Sequence, residues 1–315
     1  MEYQQESGQG GYTRVSIPSS GQADPRLAGD FNSSLNENLY GGAFDVTIPV
    51  KWIQDKNKIK LGYFGQYRKR DFAARVLGFI RNGQFDTDLL TQPQNQIFAP
   101  ENIRENGFVL SDITNGSDIY DANSFLNAGY AMFDGFVTEK LRVGLGARLE
   151  SYNQKLNSAD NAGTAINVDT TYVNLLPSAN LIYNLTEKAS LRLSGSQTVG
   201  RPEFREIAPF GFYDFNKNVS VVGNPNLKQS KTTNVDLGYA LYPSAGQVFS
   251  VSAFYKNFDL PIEQRLELGS TGRIFGYGNS ESATLYGIEM EFRRPLDLIS
   301  ERLKNFTFSA NASYM

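Results

Sequence analysis

The feature that most constrains this chain is a strict two-residue alternation. In KLRVGLGARLE, Lys140 to Glu150, the odd positions carry Leu141, Val143, Leu145, Ala147 and Leu149. The even positions carry Arg142, Gly144, Gly146, Arg148 and Glu150. A period of two describes a β-strand with one apolar and one polar face. Such a strand has two solutions. In a soluble sandwich the apolar face turns inward, and in a membrane barrel it turns outward to lipid.

The alternation recurs along the chain. Phe44, Val46, Ile48 and Val50 form one apolar row, and Ile59, Leu61, Tyr63 and Tyr67 the next. Leu126, Ala128, Tyr130 and Met132 read as a third, followed by Ala179, Leu181 and Tyr183, then Leu191, Leu193 and Val199. Val235, Leu237, Tyr239 and Leu241 precede Phe249, Val251, Ala253 and Tyr255. The last rows are Tyr286, Ile288, Met290 and Phe292, then Phe306, Phe308, Ala310, Ala312 and Tyr314. These make about ten strands of about ten residues, which at ~3.3 Å per residue and ~40° tilt span an apolar band of ~25 Å.

The connections decide between sandwich and barrel. Short ones fall at Ile53–Asn57, Thr138–Glu139, Thr186–Lys188, Pro243–Gly246 and Asp297–Lys304. Longer ones, at Arg81–Asp121, Asn157–Asn167, Arg201–Ser230 and Leu260–Ser280, alternate with them. A sandwich has no reason to keep every second loop long, whereas outer-membrane barrels pair short periplasmic turns with long extracellular loops. Trp52, Phe136, Tyr183 and Phe306 stand beside the short turns, and Tyr67, Tyr255 and Tyr286 towards the long loops, as two interfacial girdles would. The expected fold class is therefore all-β, an antiparallel transmembrane β-barrel fragment.

Composition removes other classes. With no histidine and no cysteine there is no Ser-His pair, no thiolate and no disulfide. A net charge of -3 does not suit a basic nucleic-acid binder, and no nucleic-acid partner is expected. No run reaches the ~18 apolar residues of a transmembrane helix, which leaves barrel strands untouched as an option. MEYQQESGQG is not a signal peptide, and both ends read as cuts inside a longer protein, with residues 1–37 as loop. Asp112, Asp118 and Asp121 fit no EF-hand spacing, so neither metal nor cofactor is expected. The glycines Gly144 and Gly146 have no helix after them, so they read as room on the lumen face and not as a nucleotide loop.

Two groups of candidate site residues emerge. Arg142, Arg148, Glu150, Arg192, Asp236, Glu289, Glu291 and Arg293 sit on polar rows at mid-strand and would face the lumen. The Arg201–Ser230 loop carries Arg and aromatic side chains at the barrel mouth. Of these, Arg201, Glu203, Arg205, Phe212 and Tyr213 are the candidate ligand contacts, while Phe204, Phe210 and Phe215 read as packing. The competing reading makes the whole cluster a brace that packs the loop over itself.

The segment SQTVGRPEFREIAPFGFYDFNKNVSVVGNPNLKQSKTTNVDLGYALYP, Ser196 to Pro243, resembles the barrel of TonB-dependent outer-membrane receptors. Its marks are Arg201-Pro202 leading into a long loop and Gly223-Asn224-Pro225-Asn226-Leu227 returning from it. A stretch within Ile97–Glu150 resembles the same barrels, and the pattern as a whole, including Ser250–Gln264, resembles the Bacteroidetes-type members in particular, so that the likeness covers roughly 38–315. One departure is Gln229-Ser230, where many members carry Pro-Glu. The resemblance implies a bacterial outer-membrane barrel of about 22 strands around a plug. The plug and final strands would lie outside this sequence. It also implies outer-membrane lipid, the plug, the TonB–ExbB–ExbD complex and a surface lipoprotein lid as partners. A siderophore, cobalamin, glycan or peptide would be the cargo, and no covalent chemistry would be performed. Two rivals stay open: a passive porin or adhesion-type barrel, and a secreted β-sandwich that binds glycans.

Overall fold

The computed structural model describes residues 3–5, 12–15, 17–19, 23–24, 28–52, 54–93, 95–214, 217, 219–269, 272–303 and 305–315. A small hairpin of β1 (Tyr3–Gln5) and β2 (Tyr12–Val15) comes first. The wall strands follow: β3 (Gly29–Trp52), β4 (Gln54–Arg81), β5 (Phe108–Asp112), β6 (Ile119–Phe136), β7 (Leu141–Ala159), β8 (Ala165–Asn184) and β9 (Ala189–Gly200). Past a short helix, α1 (Phe204–Ile207), lie β10 (Gly211–Asp214), β11 (Val219–Val222), β12 (Ser230–Leu241) and β13 (Val248–Asp259). The chain ends with β14 (Ile262–Gly269), β15 (Gly272–Asn279), β16 (Ser282–Pro295) and β17 (Thr307–Tyr314).

The wall is one 11-stranded sheet in the order β17-β16-β13-β12-β9-β8-β7-β6-β4-β3, with β5 pairing the upper end of β4. Every neighbouring pair along this path is antiparallel. Among the described residues β3 and β17 do not pair with each other, so the wall is an open arc of a barrel. Residues 1–37, expected as loop, instead contribute the β1–β2 hairpin and the start of β3.

Register fixes which side chains share a face, because directly opposed residues point the same way. Leu145 opposes Phe133 and Ala179, Leu181 opposes Leu193, Leu193 opposes Leu237, and Leu237 opposes Ala253. The predicted rows on β3, β4, β7, β8, β9, β12, β13, β16 and β17 thus join into one apolar face. Its side chains are open, as Phe44, Leu149, Leu237 and Tyr286 show, each more than half exposed. So large an exposed apolar face requires an apolar solvent.

Strand β6 departs from the reading. Leu126, Ala128, Tyr130 and Met132 oppose Tyr152, Glu150, Arg148 and Gly146, which puts them on the charged face. The outward row is Phe125, Asn127, Gly129, Ala131 and Phe133. Phe136 follows the same parity onto the charged face, opposite Arg142, and leaves the lower girdle. Tyr183, Tyr67, Tyr255 and Tyr286 keep their outward positions. The Trp52 side chain and Phe215 lie outside the described residues.

Strand length departs as well. β3, β4, β6, β7 and β8 run for 24, 28, 18, 19 and 20 residues, whereas β9, β12 and β13 have 12 each. The connection expected over Asn157–Asn167 is the tip of the continuous β7–β8 hairpin, closed by Asp160–Thr164. On the apolar face, the row Tyr40–Tyr67–Phe125 is the last aromatic one. In the next row outward positions are polar: Asn38, Lys69, Asn123, Lys155 and Asp169 stand side by side across five strands. β4 continues to Arg81, so this part of the wall stands roughly 30 Å beyond the apolar band. We call it the collar.

Candidate functional site: a loop cover braced on the charged face

Within the collar the two faces exchange character. Phe72, Ala74, Tyr120, Ala122 and Leu156 take the even positions, the charged face of the same strands. They receive Phe204, Ile207, Ala208, Phe210 and Leu227 from the Arg201–Gln229 loop in one buried cluster. Phe210 packs on Phe72 with ring centroids 4.9 Å apart, and Phe72 stacks on Tyr120 at 5.0 Å. Burying Phe204 and Ile207, each 1% exposed, supplies about 2 kcal/mol per side chain towards docking.

Polar contacts fix where the cluster docks. The loop leaves the wall at Arg201, whose guanidinium pairs with Glu150 and lies 4.6 Å over the Tyr152 ring. Glu150 is buried and is also held by Arg148 at 2.6 Å, so one carboxylate ties two cations at the junction of wall and loop. The buried Gln154 amide donates to the Pro202 carbonyl at 2.9 Å. A capping box then starts α1: the Glu203 backbone N–H donates to the Glu206 carboxylate at 2.9 Å, and the Glu203 carboxylate accepts from the Glu206 backbone N–H. The Glu203 carboxylate also accepts from Arg68 at 2.8 Å. Arg68 and Arg70 lie 4.9 and 5.5 Å over the Phe204 ring, and both pair with Glu37. Partial burial works upward on the Glu37 carboxyl, but Arg70 and Arg68 outweigh it and hold it below its ordinary value.

Further along, Arg205 donates to the carbonyls of Phe210 at 2.9 Å and Val221 at 3.1 Å, between the Phe210 and Phe212 rings. Burial lowers its pKa, with Tyr277 and Tyr120 opposing. Gly223 lies so close to α1 that a Cβ there would run into the Ala208 carbonyl oxygen. The loop returns through a reciprocal amide pair, Asn174 with Gln229, at 3.1 and 2.8 Å.

A second loop completes the cover. β10, β11, β15 and β14 form a separate 4-stranded sheet in that order. Its centre is a parallel pairing of Ser220 with Ile274 and Val221 with Phe275, which joins the Arg201–Gln229 loop to the β14–β15 hairpin. Asn224 Nδ2 donates to the Tyr277 carbonyl at 2.9 Å, and Lys228 N–H donates to Asn279 Oδ1 at 2.8 Å. The two loops are therefore one body.

The sequence-derived candidates fall into three places. Arg201, Glu203 and Arg205 are engaged within the brace. Phe212 and Tyr213 lie on β10 at the rim of the cover, where Phe212 is 37% exposed. The eight mid-strand charges share the charged face. Arg142 meets Asp134 at 2.9 Å, and Lys58 meets the same carboxylate at 3.5 Å. Asp236 stands 3.5 Å from Ser194 Oγ. Gly144 and Gly146 line a 590 Å³ depression on this face together with Arg142, Arg192 and Asp134. Asp112, Asp118 and Asp121 do not converge: Asp112 binds Thr114 and Arg75, Asp118 accepts from Asn115 N–H, and Asp121 accepts from Asn157. Sequence reasoning missed Glu37, Arg68, Arg70, Gln154 and Asn174. The signal was present in RKRD, Arg68 to Asp71, where four consecutive charges end the apolar row of this strand and load both of its faces.

An arc of long antiparallel strands with one apolar face, one charged face and loops folded over one end is the wall of an outer-membrane β-barrel. The whole chain, residues 1–315, matches the Outer membrane protein beta-barrel family, and it belongs to that family. Its place is the bacterial outer membrane, so the apolar face meets lipid and the charged face meets the lumen. No curated protein matches it. Among solved structures it is similar to the copper transporter OprC, at 16% identity and a TM-score of 0.56, over 84% of this chain and 36% of that one. It is similar to the ferric citrate transporter FecA, at 15% and 0.53, over 91% and 36%. The ferric yersiniabactin uptake receptor FyuA of Yersinia pestis gives 12% and 0.53, over 91% and 36%. These likenesses concern the fold, and the chain spans about a third of each protein's length.

Proposed function

We propose that this chain is wall and mouth of a TonB-dependent uptake receptor of the Bacteroidetes type, which binds a scarce nutrient on its extracellular loops. Import would draw energy from TonB–ExbB–ExbD through a plug that contacts the charged face. The single observation that carries the reading is the cover: two loops fused by the parallel β11–β15 pairing and braced over the lumen side of the wall. A receptor needs a fixed surface on which to recognise cargo, and the braced cover supplies one. The cargo contacts in this reading are Phe212 and Tyr213 at the rim, with Arg201, Glu203 and Arg205 holding them in place. A surface lipoprotein would dock over the same rim.

The test uses the full-length receptor. Purified protein is titrated with a ferric siderophore, cobalamin, an oligosaccharide and a peptide, and uptake of whichever binds is followed in cells with and without TonB. One class should bind, weaken at least tenfold in the Phe212→Ala/Tyr213→Ala double variant, and enter only with TonB. A steady open conductance in planar bilayers, with uptake indifferent to TonB, would replace this reading by the passive porin.

A further inference from the structure

Below the collar, the wall has one place where it is thin on both sides. β8 pairs with β7 from Ala165 to Tyr183, and β9 pairs with β12 along its whole length. Between them, β8 and β9 pair only over 178–184 and 190–196. The ladder ends at Pro177, which has no N–H to offer. Among the described residues, no backbone hydrogen bond joins 165–177 of β8 to β9 or to the cover. Above Ser178 this seam is bridged by side chains, among them the Asn174–Gln229 amide pair.

Two rows cross the seam. On the lipid face run Phe133, Leu145, Ala179, Gly195 and Val235. On the lumen face, one residue away, run Met132, Gly146, Ser178, Ser196 and Asn234. At the seam both rows carry small side chains, Ala179 and Gly195 outward, Ser178 and Ser196 inward. With Ile59 and Pro177, the lipid-face row borders a cavity of 770 Å³. Gly146, Ser178, Ala179, Gly195 and Ser196 also line the 590 Å³ depression of the lumen face. The two lie back to back, with a single backbone layer between them. In the lumen depression Arg142 is engaged by Asp134, whereas Arg192 is exposed and forms no ion pair among the described residues.

We propose that the β8–β9 seam is a lateral portal for a single-chain amphiphile with an anionic head, a long-chain carboxylate drawn from the bilayer. The apolar chain lies in the lipid-side cavity, whose volume and lining are those of a small-molecule site. The carboxylate passes between β8 and β9 to the Arg192 guanidinium, which can hold it through two parallel hydrogen bonds. Backbone groups freed in lipid are expensive. Joining the two cavities, however, requires parting only Ser178 from Ser196 and Ala179 from Gly195, at an end of the ladder that is already free. The Ser178 and Ser196 hydroxyls stand beside those groups and can bond them while the pairs are apart. Neither Phe212 nor Tyr213 lines either cavity, so a portal here operates whether or not the cover recognises a nutrient.

The experiment uses the full-length protein in phospholipid nanodiscs, with spin-labelled stearate as probe and its methyl ester as the uncharged control. Wild type should immobilise the acid saturably, and at least tenfold more tightly than the ester, the margin of one charge-assisted hydrogen bond. Arg192→Gln, which changes an exposed side chain, should bring the acid down to the ester. Gly195→Leu fills the cavity and should weaken both probes by a similar factor. A Cβ at that position meets only the Asn234 carbonyl oxygen, at 3.7 Å, so the strand keeps its place. In the Ser178→Cys/Ser196→Cys variant the two thiols oppose each other in register, and oxidation locks the seam. The acid should then bind no better than the ester, and reduction should restore the difference. Immobilisation that rises without saturation is ordinary boundary lipid and overturns the proposal. So does equal binding of acid and ester by wild type, or an acid preference that survives oxidation.

Discussion

The wall divides into two halves that share one periodicity and solve their extracellular ends differently. From β3 to β8 the strands continue far past the lipid and close in a tight hairpin at Asp160–Thr164. From β9 to β16 they stop after 12 to 14 residues and hand the chain to folded loops. The tall half presents an apolar inner surface that it cannot cover itself, and the short half supplies the cover through Phe204, Ile207, Phe210 and Leu227. A strand that leaves lipid for water must exchange its faces. In lipid the outward side is apolar, and in water the side beneath the cover is. β7 shows the exchange: Leu141 to Leu149 are apolar at odd positions, and Tyr152 and Leu156 at even ones.

The comparison can be broken at its seam. Phe204→Ala removes one of the two phenylalanines that the short half buries in the tall half, and should cost about 3–5 kcal/mol. Denaturant unfolding of the detergent-solubilised receptor, with limited proteolysis within 201–229, would register the undocked loop; an unchanged cleavage pattern would separate the halves. Glu150→Ala leaves Arg148 and Arg201 without their shared carboxylate and should cost about 3 kcal/mol or more, with strong coupling to Arg201→Ala in a double-mutant cycle.

Faces can be tested within the tall half. Ala131→Arg places a cation in lipid and should destabilise by about 2–4 kcal/mol, whereas Met132→Arg faces the lumen and should cost far less. Because the chain has no cysteine, single cysteines at 132 and 133 report the same contrast. A water-soluble maleimide should label position 132 and spare position 133, and the reverse would restore the inverted phase of β6. Gly223→Ala should cost about 1–3 kcal/mol, since its Cβ has to push the α1 backbone away. The smallest effect expected is on pH. Arg70 and Arg68 on the neighbouring strand hold the Glu37 carboxyl below its ordinary value in the folded wall, so its contribution to wall stability is present above the unfolded glutamate value and fades as pH falls through the folded one. Amide protection of the β3–β4 pairing around Glu37 in hydrogen exchange should therefore decline in acid, and Glu37→Gln should remove that decline.

Most of the membrane part of this fold was legible because one rule governs it. Nine of the wall's apolar rows sit on the face that alternation assigns. β6 misleads because its collar phase, Tyr120, Ala122 and Leu126, continues with only Ser124 between into Ala128, Tyr130 and Met132, while its lipid row is diluted by Asn127 and Gly129. Only the registers with β4 and β7 resolve it. The strand extensions were hidden for the same reason: where faces exchange, alternation looks as though it ends. The candidate site was partly legible. Loop aromatics announce a buried cluster, but a parallel pairing between segments as distant as Ser220 and Ile274 leaves no local trace. Nor does the Arg201–Glu150 contact, whose two ends are 51 residues apart.

That parallel pairing bears on how such mouths can be rebuilt. Because β11 and β15 meet strand to strand, neither loop is an independent graft. A chimera that imports the Arg201–Gln229 segment alone would bring an unmatched edge to a resident β15, with backbone donors and acceptors left for water or for a neighbouring molecule. Transplanting both segments together, along with the collar residues beneath them, moves a complete cassette. New specificities at this mouth would then be inherited in blocks, and single-loop swaps would fail by misassembly before cargo was ever tested.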